Sequence, residues 1–474
     1  MPEMFRRITA ATEWFVCFVR EVNHGIAVGR GYAPVGKHTR RGRGASRTCG
    51  AAERGERTAR GRMRAHRAGR RGAGGRVPGG EEGIAWLVAP GLALIAVTYG
   101  LARFAYGLFL PEMREAFALS PFLLGAIGAG SYLAYCVAII VSLVYTSRTG
   151  PRRMAVAAGT AAVVGMAVVA AAPAAWVLAL GILVAGGSTG LASPPMGEAV
   201  ARSIRNSLQD RANALINSGT SVGVALSGPA ALLLAGEWRL AWAAFALVGL
   251  AVLAWNAAAM PREALADRDE DDDGAEAGDG SGRTHLSFSY LMGARVRPRS
   301  APLFVAAFGL GFASAVYWTF SRDLVVQAGG LGQTGSTLFW TVIGVSGLAG
   351  GAAGDLVGRF GLTAVLRGSL VSMAGSMALL ALAPGVLPLA YASAALFGST
   401  YIVLTGVVLV WSVGVFREIP SAGLGTGFLL IAVGQAVGSP VAGALAVTTS
   451  PTTAFFSFAG VAVLTALVRP HPDL

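Results

Sequence analysis

The sequence predicts an all-α polytopic membrane protein, with twelve transmembrane helices arranged as two parallel six-helix bundles. Three observations predict it. The 474 residues have a mean hydropathy of +0.59 and only 13% are charged, which is too apolar for a soluble globular protein of this size. Twelve apolar runs follow residue 84, each long enough to cross a hydrocarbon core of about 30 Å at about 1.5 Å per residue. The last six runs echo the first six at one constant offset of 211 residues.

The chain opens with an Arg-, Gly- and Ala-rich segment, residues 1–80. It holds 18 basic and 5 acidic residues, while the remainder of the chain holds 20 of each. The net charge of +13 therefore belongs to this tail and not to the membrane body. Its one apolar run, WFVCFV at residues 14–19, is too short for a span or a signal-peptide core. The tail reads either as an over-extended start, with initiation near Met63 or Val77, or as a disordered cytoplasmic arm drawn to anionic lipid. A nucleic-acid reading has least behind it, because no aromatic or folded recognition element accompanies the arginines.

Helices are then expected at about 84–110, 121–145, 153–172, 175–201, 211–235 and 238–258, forming a first bundle over 81–260. A second set, at 302–326, 334–357, 361–383, 386–413, 420–446 and 451–468, forms a bundle over 301–470, followed by a short tail, 471–474. The bundles are joined by a cytoplasmic linker, 261–300, that carries the acidic run DRDEDDDGAEAGD. That run lacks the ligand spacing of a calcium loop and reads as a solvated segment. Residues 286–299 are expected to form an interfacial helix ahead of the seventh span.

Charge sets the orientation. With both ends of the bundle and the linker on one side, sixteen arginines fall there, against only Arg114, Arg239 and Arg322 on the other. By the positive-inside rule the N- and C-termini are expected in the cytoplasm.

Several chemistries are excluded. The three cysteines, Cys17, Cys49 and Cys136, have neither metal-ligand spacing nor a disulfide framework, and all five histidines lie outside the apolar runs. No phosphate-binding GxxxxGK[ST] loop is present. No Ser/His or His/Glu arrangement lies within the spans, so an enzyme is not expected. No cofactor is expected either.

The repeat pairs Gly100 with Gly311, Tyr106 with Tyr317, Phe109 with Phe320, and acidic Glu112 with acidic Asp323. Further on it pairs Arg148 with Arg359, Gly150 with Gly361, Pro173 with Pro384, the GST triplet at 187–189 with that at 398–400, Gly223 with Gly434, and Pro229 with Pro440. An even number of spans per half gives both halves one membrane orientation, so the repeats are parallel and related by an axis along the membrane normal. Arg103 maps onto Ser314; a charge inside an apolar span, outside the shared framework, marks a functional position.

Arg103 lies in TYGLARFAYGLFLPEM, residues 98–113, about seven residues or roughly 10 Å from the end of its helix. Tyr99 and Tyr106 are four before it and three after it, which places all three on one face of a regular helix. Two roles stand open for Arg103: contact with an anionic substrate or a coupling group, and a structural ion pair reached by snorkelling toward Glu112. Tyr317 and Trp318 on span seven, Trp340 on span eight, Gln435 on span eleven and, more weakly, Asn217 on span five join it as substrate-binding candidates. Glu198 reads either as a protonatable group or as the partner of Arg202, four residues on.

The two parallel six-helix repeats resemble the major facilitator superfamily over about residues 84–470. The loop SRTGPRR, residues 147–153, resembles that superfamily's basic D-R-x-G-R-R loop, with Ser147 at the aspartate position and Pro151 interrupting the basic pair. The second copy, GGAAGDLVGRFG at 350–361, keeps an aspartate. The resemblance implies gating roles for Gly150, Arg152 and Arg153 and for Asp355 and Arg359, with the second copy better equipped. NSGTSVGVALSGP, residues 217–229, resembles the glycine-rich helix of antiporter-type members, which would give Gly228 and Pro229 a conformational role; small-residue packing explains the same composition. The arginine linked to proton coupling in span four is missing here. GLARFAYGLFLPEM is similar to a bacterial sugar-efflux-like or cyanate-permease-like branch.

What the resemblance implies is a monomeric secondary transporter in the bacterial plasma membrane, bound to a small-molecule substrate and the lipid bilayer and coupled to a proton or another solute. An exported or exchanged organic anion, or a small polar metabolite, is the first substrate expectation. A lipophilic-drug exporter and a non-transporting sensor or scaffold of the same fold are the alternatives.

Overall fold

The computed structural model describes residues 82–234, 237–260, 300–416 and 420–470. The expected N-terminal tail, the acidic linker with its interfacial helix, and residues 471–474 lie outside them. Chain contacts divide the molecule at Ala85/Trp86; the described residues of the first unit are the opening residues of one helix, and everything below concerns the unit Trp86–Leu474.

All regular structure among the described residues is helical. The first span runs through α1 (Glu82–Ile95), a π-helical stretch (Ala96–Phe104) and α2 (Ala105–Leu108), and α3 (Leu110–Phe117) follows a break at Phe109. Next come α4 (Pro121–Thr149), α5 (Pro151–Ala170), α6 (Ala175–Ser203), α7 (Asn206–Leu233) and α8 (Trp238–Ala259). The second half comprises α9 (Ala301–Gln327), α10 (Gln333–Gly347), a 3₁₀ turn (Leu348–Ala352), α11 (Ala353–Phe360), α12 (Leu362–Leu382), α13 (Leu387–Val415), α14 (Pro420–Thr448) and α15 (Pro451–Ala466). Helix thus lies at all twelve expected positions. Ten of the segments are long and apolar enough to cross a membrane. Of the other two, α7 opens with polar residues (NSLQDR) and α15 has 16 residues.

Two spans depart from the continuous helices expected. Span one switches to a π-helix, and span eight is interrupted where LAGGA deprives the helix of side chains that would pack its turns. Prolines start α4, α5, α9, α14 and α15, where the missing N–H costs no helical bond.

The 211-residue repeat is visible in the packing. In the first half α5 packs on α6 and on α8, α4 on α6, and α7 on the π-helical stretch; in the second half α12 packs on α13 and α15, α10 on α13, and α14 on α9. Each pair is the image of its counterpart. The two largest interfaces between the halves, α4 with α14 and α7 with α10, are likewise images of each other. Backbone geometry repeats too: Gly150 (φ 85°, ψ 153°) and Gly361 (φ 81°, ψ 152°) turn the chain identically between consecutive helices. Only glycine takes that conformation freely.

Close helix crossings explain the repeated pairing of Gly100/Gly223 with Gly311/Gly434. A Cβ on Gly223 would strike the Ala96 carbonyl and Gly100 Cα, and one on Gly434 would strike the Phe308 carbonyl and the Gly311 backbone. These two crossings bring the π-helical stretch and α9 face to face with α7 and α14, and so set the depth at which the functional side chains meet.

Candidate functional site

The π-helical stretch carries Arg103. A π-helix widens the helical turn and occurs mostly at functional sites. Arg103 is only 6% exposed. Its Nη2 donates to Gln435 Oε1 on α14 at 2.8 Å, and Gln435 Nε2 donates in turn to the Tyr401 hydroxyl on α13 at 3.2 Å. Arg103 Nε is buried with no partner. Around the guanidinium stand aromatic rings: Cζ lies 4.6 Å from the centroid of Tyr135, 4.7 Å from Tyr132, 5.2 Å from Phe104 and 5.7 Å from Tyr99. Such contacts are worth about 2 kcal/mol when desolvated and offset part of the cost of burying the charge. They do not neutralise it. No carboxylate lies within ion-pair distance of Arg103 among the described residues.

Tyr99 closes one side, with its hydroxyl 2.7 Å from Ser193 Oγ on α6 and 3.5 Å from the Tyr135 hydroxyl. Trp318 closes another. Its ring stacks on Phe104 at 4.1 Å and meets Tyr401 edge-on at 5.2 Å and Trp340 at 5.9 Å. Trp318 Nε1 is buried without a partner, whereas Trp340 Nε1 donates to Ser227 Oγ on α7 at 3.2 Å. Residues of both halves thus enclose one buried guanidinium.

Beyond Trp318, toward the turns at 118–120 and 328–332, lies a second charged group. Arg322 Nη1 donates to Glu112 Oε1 and Oε2 at 2.7 and 2.6 Å and to the Leu108 carbonyl, and Nη2 donates to Gln333 Oε1 at 3.0 Å. Arg114 Nη1 lies 2.9 Å from Asp323 Oδ2. Both ion pairs join the first half to the second. Arg322, near the outer end of the expected helix 302–326, sits inside α9 and is 1% exposed, its burial offset by the ion pair with Glu112.

Of the residues singled out in the sequence, Arg103, Tyr99, Trp318 and Gln435 come together, with Trp340 behind Trp318. Tyr106 does not join them. Its hydroxyl donates to the Leu124 carbonyl at 2.8 Å, from the short α-helical segment that follows the π-helical stretch. Tyr317 points into the second half, stacked on Phe397 at 3.8 Å and bonded to Ser393 Oγ at 2.7 Å. Asn217 is exposed on α7. The suggested Arg103–Glu112 pair does not form; Arg103 turns to Gln435, and Glu112 to Arg322.

The gating candidates lie elsewhere. A Cβ on Gly228 would meet Thr341 of α10, so Gly228 and Pro229 stand at the crossing between halves. Arg152 donates to the Ala257 carbonyl, Arg202 pairs with Glu198, and Arg153, Asp355 and Arg359 are exposed. Tyr132, Tyr135, Ser193 and Tyr401 were missed. The signal available was a pair of tyrosines three residues apart in an apolar span (SYLAYC), and a tyrosine directly after the repeated GST triplet. No cluster of three His, Cys, Asp or Glu is placed to hold a metal among the described residues.

The sequence profile of the Major Facilitator Superfamily matches residues 92–432. Among solved structures, the nucleoside transporter NupG superposes with a TM-score of 0.64 at 15% identity, covering 80% of this chain and 98% of that one. At that identity the likeness is one of fold. No curated protein sequence gives a significant match. With a profile match over most of the chain, apolar helices in two matching halves and a closed polar centre between them, the protein belongs to the major facilitator superfamily and is a multi-pass membrane transporter of small molecules.

Proposed function

We propose that this transporter carries a small organic anion through a site centred on Arg103, as an exporter or exchanger in a bacterial plasma membrane. The observation that carries the reading is the charge state of the core. Three charged side chains are buried among the described residues; Arg322 and Asp323 are ion-paired and Arg103 is not. An uncompensated cation at membrane depth is costly, and an anionic ligand removes that cost. The basic loops put the turns at 118–120 and 328–332 outside, so that the Glu112–Arg322 and Arg114–Asp323 pairs shut the external side. Transport then follows from rocking of the 81–260 bundle against the 301–470 bundle in a monomer, with a proton or a second solute supplying the coupling.

The test is flux in proteoliposomes. Radiolabelled organic anions, sugars and lipophilic cations are offered to wild type and to Arg103→Ala. Saturable anion flux in wild type, lost in the variant, supports the reading. Cation or sugar flux that survives Arg103→Ala overturns it. Export of lipophilic cations is the second reading, and one observation favours it: Asp323 Oδ1 is a buried acceptor without a partner. Its other oxygen is held by Arg114, which ranks this reading below the first.

A further inference from the structure

The site described above has a half-filled fork. Arg103 presents two donors along one edge, Nε–H and Nη2–H. Gln435 Oε1 takes the second at 2.8 Å, and the first is buried with nothing to accept it. An amide has one acceptor atom, so glutamine cannot fill both positions. A carboxylate has two coplanar oxygens at the spacing of that edge, and bidentate pairing with arginine is the stronger contact.

Resting on the anion reading, we infer that the substrate is a monocarboxylate with a flat apolar body, and that its carboxylate displaces Gln435 Oε1 from Arg103. In the structure Gln435 is a neutral stand-in for the substrate's charged group. The charge count sets the valence. Arg103 is alone, so one negative charge neutralises the site, while a dianion leaves a buried charge uncompensated. The walls set the body. Tyr132, Tyr135, Phe104 and Trp318 offer ring faces and edges, and the unpartnered Trp318 Nε1 supplies one further donor. Displacement also has a mechanical consequence. The Arg103–Gln435 bond joins the first half to the second, so a ligand that replaces it loosens the halves while occupying the site. Gln435 is thereby a specificity-determining residue: an amide yields to a carboxylate, and a fixed acid does not.

The experiment titrates detergent-purified full-length protein with benzoate, phthalate, benzamide and methylphosphonate, reading the thermal midpoint and intrinsic tryptophan fluorescence. The result expected is a rise in the midpoint and a fluorescence change with benzoate, no response to benzamide, and affinity for phthalate weaker by about tenfold or more. Gln435→Glu supplies a permanent partner to Arg103 and is expected to abolish the benzoate response. Gln435→Leu removes the competitor and is expected to keep benzoate binding at least as tight as in wild type; it carries the test if Gln435→Glu does not fold. Equal response to benzamide or phthalate, a wild-type response in Gln435→Glu, loss of benzoate binding in Gln435→Leu, or no benzoate response in wild type each overturns the inference. The broader reading fails separately. If methylphosphonate binds through Arg103 and benzoate does not, only the inference falls. If cations or neutral sugars alone raise the midpoint, equally in wild type and Arg103→Gln, the anion reading falls with it.

Discussion

Arg322 Nη1 lies 2.7 and 2.6 Å from the two carboxylate oxygens of Glu112, and the contact ties α9 to the helix that follows the Arg103 turn. Glu112 and Asp323 are equivalent positions of the 211-residue repeat, yet their arginine partners are not: Arg322 maps onto Pro111, and Arg114 onto Val325. Each acid is matched by an arginine of the opposite half. The duplicated framework supplied the acids, and single, unrepeated arginines make the closure.

Replacing Glu112 with Gln leaves a guanidinium that is 1% exposed without its counter-charge. Breaking a buried pair from one side costs about 3–5 kcal/mol, and the value here falls toward the lower end because Glu112 is 18% exposed. A shift of that size moves a closed–open equilibrium by about a hundredfold. Spin labels at Ala116 and Thr334, both exposed near the two turns, report it in a background without native cysteines. The expected result is a longer and broader distance distribution in Glu112→Gln; an unchanged distribution means that the pair does not hold this end shut.

The second pair should matter less, for a reason that concerns the residue left behind. Asp323→Asn strands Arg114, whose side chain is 32% exposed and can turn to water. Although Asp323 is buried, the charge left behind is one that water reaches. The loss therefore lies nearer to that of exposed pairs, about 0–1 kcal/mol, than to the cost of stranding a buried charge. Thermal unfolding in detergent should therefore place Asp323→Asn close to wild type and Glu112→Gln well below it. Equal midpoints would show that exposure of the stranded arginine does not decide the cost.

The glycine crossings give a symmetric prediction. Gly223→Val and Gly434→Val push a branched side chain into the backbone of the first span and of α9, respectively. Overpacking typically costs about 1–3 kcal/mol, and in a membrane close backbone approach is a main source of helix association. Both variants are expected to lower the unfolding midpoint by similar amounts. As a control, Gly375→Val should be neutral, since a Cβ at Gly375 meets nothing within 4 Å. A tolerated Gly223→Val with a disruptive Gly434→Val would deny that the two halves share one crossing.

The fold was legible because its signals are local or periodic. Apolar length marks the helices, α7 included despite its polar opening NSLQDR, and the constant offset pairs the six of one half with the six of the other. Arg103 was legible as a charge out of place. What surrounds it was not. Gln435 is 332 residues away and Arg322 is 210 from Glu112, and no spacing rule links positions in different halves. The face shared by Tyr99, Arg103 and Tyr106 was drawn for a regular helix at about 3.6 residues per turn. The helix instead changes from π to α between Arg103 and Tyr106, whose hydroxyl goes to Leu124, and nothing in AVTYGLARF announces that change of pitch.

Neighbouring residues on α9 separate packing from function most cleanly. Tyr317 and Trp318 are adjacent, and both were candidates for contact with a substrate. Tyr317 bonds Ser393, which itself donates to the Ser376 carbonyl at 2.7 Å, within the second half. Tyr317→Phe removes one hydrogen bond, worth about 0.6–1.5 kcal/mol, and leaves the stacked ring and the Ser393–Ser376 bond in place. It should lower stability slightly and leave transport intact. Trp318 stacks on Phe104 beside Arg103 and covers the side that faces the ion pairs. Trp318→Ala should impair flux far more than it impairs folding, because the site loses a wall and its separation from the closed end. Measuring proteoliposome flux and the unfolding midpoint on both variants tests the division. If Tyr317→Phe stops transport at unchanged stability, the second half contributes to the site through Tyr317, and the centre of the binding region lies deeper in that half than the Arg103 geometry implies.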